Sequence, residues 1–299
     1  MKKLLDALTA ALFFGLTWLV ALLPQRIQYA LADLLALLLY SAARYRRTVV
    51  YTNLRNSFPE KSPRDIARIA RAFYRHLADL IVESAFMTHA SKKRILARCT
   101  FDNIDRLLPY YHQGRSVVVA AAHYCNWEML TCAQPHMRHL MLSIYKPMSN
   151  KRIERIMTRS RERLGSRTVP MRRTIRAVAH YVKEQHPVLV GLIADQVPVG
   201  SNHYGTTFLH QSTLVYRGIE HIAKLFDLPV FYCKMTQPKR GHFLVHLELI
   251  TDTPRQTPPD WITEQHLRAL ERSIQEAPPY WLWSHRRWKR QPLAPTNHA

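Results

Sequence analysis

His123 and Glu128 are separated by four residues in His123-Tyr-Cys-Asn-Trp-Glu128, directly after the apolar run Ser116 to Ala122. A carboxylate near an imidazole fixes its tautomer and stabilises its cation, which makes a general base of an ordinary histidine. On one continuous helix this offset turns the two side chains about 140° apart, at 3.6 residues per turn. Pairing therefore requires His123 in a loop and Glu128 in the first helical turn, with Asn126 as the expected N-cap. Among 16 histidines a chance match to this spacing is expected, so the spacing alone says little. Asp195-Gln196 closes a second apolar run, Val188 to Ala194. Such an aspartate is often only a loop N-cap. It nevertheless sits at the same kind of strand end as His123, where α/β folds place their chemistry.

Two charged segments accompany these candidates. Lys151 to Arg176 holds ten basic residues (Lys151, Arg152, Arg155, Arg159, Arg161, Arg163, Arg167, Arg172, Arg173 and Arg176) against Glu154 and Glu162. This is either a solvated helix face or a landing surface for phosphate or a carrier protein. The tail Tyr280-Trp-Leu-Trp-Ser-His-Arg-Arg-Trp-Lys-Arg290 interleaves aromatics with cations. That pattern suits base stacking or a membrane interface.

The elements that must position these residues follow from periodicity. Ser62-Pro63-Arg64-Asp65 reads as a helix start, with Ser62 as N-cap and Pro63 in the first turn. Ile66, Ile69, Ala70, Phe73, Leu77, Leu80 and Ile81 continue it at helical spacing. Strands are expected at 116–122, 140–145, 188–194, 229–235 and 242–250, with a turn at Lys239-Arg240-Gly241. Helices are expected at 151–164, 214–226 and 264–274. Alternating strands and helices predict an α/β sandwich on a mainly parallel central sheet flanked by helices.

The chain has 299 residues with 47% apolar side chains, enough for a sizeable core, which excludes a mainly disordered protein. Its four cysteines form no Cys-x-x-Cys pair, which argues against a disulfide scaffold or zinc ribbon. Forty-three Lys and Arg against 21 Asp and Glu give a net charge of +22. Such a chain seeks anions: nucleic acid, a phospholipid surface, a phosphorylated substrate or an acidic protein. No DNA- or RNA-binding motif appears, and His123 with Glu128 lacks the His-Glu-x-x-His spacing of a metal hydrolase. At the N-terminus, Ala7 to Leu23 carries no charge, Pro24 interrupts, and a second apolar run from Ile27 to Ala43 ends at Arg44, Arg46 and Arg47. A signal peptide would need a small-residue cleavage site, and none is clear. A short helical hairpin or an interfacial helix satisfies the basic residues at both ends and leaves the rest of the chain in the cytoplasm. The expected organisation is a membrane segment at 1–47 and a catalytic domain at 48–299.

Taken together, and in order, these residues resemble the late acyltransferases of bacterial lipid A biosynthesis, within the lysophospholipid acyltransferase superfamily. The resemblance runs from about residue 5 to 292. It rests on Asn53-Leu54, Ser57-Phe58-Pro59-Glu60, the His123-Tyr-Cys-Asn-Trp-Glu128 box and Tyr145-Lys146-Pro147-x-x-Asn150. It continues through Arg161 with Gly165, Asp195-Gln196, Phe208-Leu209 and Trp283-Ser-His-Arg-Arg-Trp-Lys289. Lys146 stands where arginine is usual and lacks its bidentate fork. Cys125, inside the box, would make the site oxidation-sensitive.

The resemblance implies a glycerolipid-acyltransferase-like fold with N-terminal membrane-associated helices, at the cytoplasmic face of the bacterial inner membrane. It implies transfer of a fatty acyl group from acyl carrier protein to a hydroxyl of a phosphorylated glycolipid, with no cofactor, no metal and no nucleic acid partner. A lysophospholipid, aminolipid or mannolipid is the alternative acceptor. By the same resemblance, His123 is the base and Glu128 its orienting carboxylate. Arg161 would stabilise the oxyanion, with Arg159 and Arg163 as rivals. Asp195 would position the acceptor or a cation near it, Gln196 would bind substrate, and Lys146 and Asn150 would bind the acceptor's phosphate or sugar. No serine or cysteine nucleophile is required, so transfer is expected to be direct.

Overall fold

The structure is a computed structural model and describes residues 2–198, 200 and 203–290. Its strands are β1 (Cys99–Phe101), β2 (Val117–Ala121), β3 (Leu140–Tyr145), β4 (Arg167–Pro170), β5 (Val188–Ile193), β6 (His203–Phe208), β7 (Gln211–Tyr216), β8 (Val230–Lys239) and β9 (His242–Thr251). Seven form one sheet in the order β1-β9-β8-β2-β5-β3-β4, while β6 and β7 form a separate hairpin. Within the sheet every neighbouring pair is parallel except β8 and β9, which turn back on each other at Arg240-Gly241. The expected α/β architecture with a mainly parallel sheet flanked by helices is therefore what the chain adopts.

The helices are α1 (Lys2–Leu22), α2 (Gln25–Leu37), α3 (Arg47–Ser57), α4 (Pro63–His89), α5 (Lys92–Leu96), α6 (Leu108–His112), α7 (Lys151–Glu162), α8 (Thr174–Lys183), α9 (Gly218–Phe226) and α10 (Trp261–Glu276). A parallel strand covered on both faces needs apolar residues at every position. This is why β2 is an unbroken aliphatic run and β5 is aliphatic at every position but Gly191. Val117, Val119 and Leu189 pack on one side with Phe73 and Leu77 of α4. Val118, Ala120, Val188 and Val190 pack on the other with Val178 of α8 and Ile219 and Ile222 of α9. The start of α4 is as expected: Asp65 N–H donates to Ser62 Oγ at 3.2 Å, and Pro63 follows the cap.

Two local expectations are corrected. The stretch read as one helix at 214–226 is the end of β7 followed by α9. Leu214 and Val215 pair with Gly205 and Tyr204 across the hairpin, a non-local bond that helical periodicity does not reveal. The residues after Asn126 form a 3-10 segment, Trp127–His136, rather than an α-helix, and Asn126 makes no capping bond. Its Nδ2 instead donates to buried Glu83 at 2.8 Å.

The helices α1 and α2 lie along α4. Tyr29 and Ala32 of α2 pack on Ala78 and Val82. Thr17 Oγ1 lies 2.9 Å from His89 Nε2, and Arg94 Nη1 donates to the Ala21 carbonyl at 2.7 Å near the end of α1. Outward, α1 exposes Leu5, Leu8, Leu12, Leu16 and Leu19, and α2 exposes Ile27, Leu31 and Leu34. Among the described residues, α1 is the one helix long and apolar enough to cross a membrane.

The tail is core rather than surface, contrary to both readings of its aromatic-basic pattern. Trp281, Trp283 and Arg287 are buried, and Trp281 packs edge-on against Trp283 and Phe208. Asn53 of α3 fastens it by donating Nδ2 to the carbonyls of Trp283 at 2.8 Å and His285 at 2.9 Å. Asn53→Ala strands both carbonyls and is expected to destabilise the fold by about 1–3 kcal/mol. Thermal unfolding measures this, and an unchanged midpoint would show that the tail is held by other means.

Candidate active site

The site is assembled by strand register. Ala121 of β2 lies opposite Ile193 of β5, and the strands are parallel. His123 and Asp195 each follow two residues later, so they leave the same edge of the sheet side by side. Neighbouring strands lie about 4.8 Å apart, within reach of a side-chain hydrogen bond. On the other flank of β5, β3 ends at Tyr145 and delivers Lys146 to the same edge.

Asp195 Oδ1 lies 2.7 Å from His123 Nδ1 and also accepts the His123 backbone N–H at 3.1 Å. Its second oxygen accepts from Trp281 Nε1 at 2.8 Å. A carboxylate served by these donors is the ionised form. Nδ1 of His123 therefore carries the proton, and Nε2 presents its lone pair. Gln196 Nε2 lies 3.3 Å from that atom. Burial opposes charge on the imidazole, but the charge and hydrogen bond of Asp195, aided by the charge of Glu128, outweigh it and raise the His123 pKa. Burial likewise works against the Asp195 carboxylate, yet His123 and the Trp281 hydrogen bond bring it down to about 2.

Here the pairing expected from the four-residue spacing is corrected. The carboxylate on the His123 ring is Asp195, and both Glu128 oxygens are taken by Arg161. Arg161 Nε donates to Oε2 at 2.9 Å and Nη2 to Oε1 at 2.6 Å. The reason lies between the two residues of the box. Cys125 adopts a left-handed conformation, φ 49°, and the chain then enters a 3-10 segment, so no α-helical turn faces His123 with Glu128. A non-glycine residue rarely holds that conformation without support. Here Cys125 N–H donates to the Tyr280 carbonyl at 3.0 Å, and Tyr124 bridges to Trp281. Cys125 itself is fully buried, and burial pushes its thiol up, so it is shielded from the oxidation expected of it.

A cavity of about 540 Å³ opens at this edge, within the size range of small-molecule sites. His123, Glu128, Arg161, Lys146, Arg172 and Gln196 supply polar lining. Val119, Leu130, Met141 and Leu247 are among its apolar walls. An imidazole whose Nε2 is met only by the Gln196 amide and a guanidinium anchored by Glu128 thus both line an apolar chamber.

Of the expected site residues, His123, Glu128, Arg161, Asp195, Lys146 and Gln196 come together. Three do not. Asn150 caps α7, accepting from the Arg152 and Ile153 amides, while its Nδ2 donates to Asp6 and Thr9 of α1. Arg163 turns away and donates to the Met87 carbonyl at 2.7 Å near the end of α4. Arg159 is exposed on α7, outside the cavity lining. The sequence does not mark Trp281, because its hydrogen bond to Asp195 crosses 86 residues of sequence. Trp127, inside the box, meets the His123 ring edge-on at 4.8 Å, and its place beside His123 is the signal that marks it.

The profile of the bacterial lipid A biosynthesis acyltransferases matches residues 1–290. The chain belongs to that family. Membership makes it an acyltransferase for groups other than aminoacyl groups. It is 22% identical over 285 residues to the lipid A biosynthesis palmitoleoyltransferase of Escherichia coli (strain K12), covering 93% of this chain and 90% of that protein. The lipid A biosynthesis acyltransferase of Shigella flexneri matches to the same extent. The lipid A biosynthesis lauroyltransferase of Escherichia coli (strain K12) is 22% identical over 283 residues, with the same coverage.

Two kinetic outcomes follow for this acyltransferase. If His123 serves as a general base it works only when neutral, so rate falls as pH drops through its pKa. Asp195→Asn removes the charge that raises that pKa, and burial then lowers it. The acid limb of the pH–rate profile should move to lower pH, while kcat drops roughly 10²–10⁴-fold. An unmoved limb would contradict the pairing. Glu128→Ala and Arg161→Ala break one bidentate contact, so each should cut kcat by roughly 10–10³-fold. The double variant should be little worse than either single one. Multiplied losses would show that the two residues act separately.

Proposed function

We propose that this protein transfers a fatty acyl group from the thioester of acyl carrier protein to a hydroxyl of a phosphorylated lipid A precursor, at the cytoplasmic face of the bacterial inner membrane. The observation that carries the reading is His123: its Nδ1 is engaged by ionised Asp195, and its Nε2 opens on an apolar cavity. Nε2 takes the proton of the acceptor hydroxyl as that oxygen attacks the thioester carbonyl. The tetrahedral oxyanion accepts hydrogen bonds from Arg161, whose guanidinium Glu128 holds in place. Collapse breaks the carbon–sulfur bond, and the imidazolium returns its proton to the departing thiolate. Transfer is direct, through a complex of both substrates. Lys146 and Gln196, at the cavity rim, contact the acceptor.

Charge supports the choice of substrates. Arg152, Arg159, Arg172, Arg173 and Arg176 are exposed, and Arg172 lines the cavity itself. Acyl carrier protein is acidic and the acceptor is phosphorylated, so both are drawn by a chain of net charge +22. Residues 1–47 are the membrane-contacting part and 48–299 the catalytic part. The leucines of α1 and α2 face outward while their inner sides are tied to the catalytic part, which favours helices lying in the membrane interface beside anionic lipids.

The test is mass spectrometry of lipid A and total lipids from cells lacking the protein, complemented with wild type or His123→Ala. Lipid A should lose one acyl group, restored by wild type alone. Loss of a chain from another lipid class would move the acceptor to that class. Restoration by His123→Ala would remove the proposed base.

A further inference from the structure

Gly191 occupies the middle of β5, a central strand covered on both faces, and it lines the cavity. Glycine weakens a strand interior, and its presence there often marks the close approach of another group. Its backbone is regular strand, so no left-handed turn demands it. Packing does not demand it either. A Cβ built there would meet Met141 Cε at 3.5 Å, the Leu142 carbonyl at 3.6 Å and Leu189 Cδ2 at 4.0 Å, all ordinary contacts. Gly218 and Gly241 differ, because a Cβ there would run into the rings of Tyr216 and Tyr29. The atom missing at residue 191 leaves room inside the cavity for something other than protein.

Register fixes how deep that room lies. Gly191 pairs with Val119 of β2 and Ser143 of β3. His123 follows Val119 by four residues, which at about 3.3 Å per residue puts Gly191 about 13 Å down the sheet from the base. An extended hydrocarbon advances roughly 1.25 Å per carbon, from a C–C bond of about 1.5 Å at a near-tetrahedral angle. A chain held with its carbonyl carbon at His123 would therefore pass residue 191 at about its eleventh carbon. Leu189 and Met141 line the cavity beyond that point.

We infer that Gly191 determines the length of acyl chain this enzyme accepts, because its bare backbone lets the chain pass toward Leu189 and Met141. The inference rests on the acyl-transfer reading above. A side chain at 191 occupies the path of the distal carbons and leaves the carbonyl end untouched. Discrimination by one or a few methylenes in an apolar pocket is worth roughly 10–200-fold.

The experiment uses purified full-length wild type, Gly191→Ala, Gly191→Val and Gly191→Met in phospholipid vesicles. Each receives an equimolar mixture of acyl carrier protein thioesters with 8, 10, 12, 14 and 16 carbons and a lipid A precursor, and products are read by mass. The ratio of 14-carbon to 8-carbon product should fall stepwise from wild type through Ala and Val to Met, by at least about tenfold at Met. Transfer of the 8-carbon chain should be kept. Gly191→Ala adds one methyl within ordinary contact, so the trend is readable even if Gly191→Met fails to fold. Folded variants with the wild-type length profile, or with equal loss for every length, would overturn the inference while leaving acyl transfer intact. A wild type that transfers no chain would instead remove the acyl-transfer reading itself.

Discussion

The bond between His123 and Asp195 joins the ends of two parallel strands, so it exists only while β2 and β5 hold one register. A slip of one residue would turn every aliphatic side chain of β5 to the opposite face. The two apolar layers that clamp those strands thus enforce the register, and with it the pairing of imidazole and carboxylate. The same register sets Gly191 opposite Val119 and defines the depth of the cavity beneath the base. Core packing and site geometry are consequences of one alignment.

A buried carboxylate is costly unless its lone pairs are occupied. Asp195 meets that requirement through the His123 ring, the His123 amide and the Trp281 indole. Trp281 belongs to a tail that crosses back over the strand ends and is fastened by Asn53. The tail also steadies the left-handed turn at Cys125 through the Tyr280 carbonyl. The aromatic-basic run near the C-terminus is therefore a brace behind the site, far in sequence from what it supports. Glu128 and Arg161 form a second unit beside the first, with the guanidinium oriented by both carboxylate oxygens.

Much of this was legible in the sequence, for identifiable reasons. Central parallel strands must be apolar on both faces, so β2, β3 and β5 were readable as short aliphatic runs, and His123 and Asp195 stood out as polar residues at their ends. The start of α4 was readable because Ser62, Pro63 and Asp65 form a local capping pattern. Pairings across long sequence distances were not readable. The partner of His123 lies 72 residues away on another strand, whereas Glu128 is only five positions on, and nearness in sequence favoured the wrong carboxylate. Asn150 matched the family pattern by type and position, and Arg163 was a rival to Arg161 by its charge and nearness in sequence. Only their contacts with α1 and α4 show that they hold helices together. The β6–β7 hairpin escaped because its strands satisfy each other outside the main sheet.

Asp195 holds His123 with its proton on Nδ1 and its lone pair on Nε2. Nitrogen NMR of protein labelled at histidine, with His123→Gln used for assignment, reads tautomer and titration at that one ring. The expected result is a neutral ring protonated at Nδ1 that takes up its second proton at a pH above the ordinary imidazole value of about 6.5. A ring protonated at Nε2, or a pKa below that value, would contradict it.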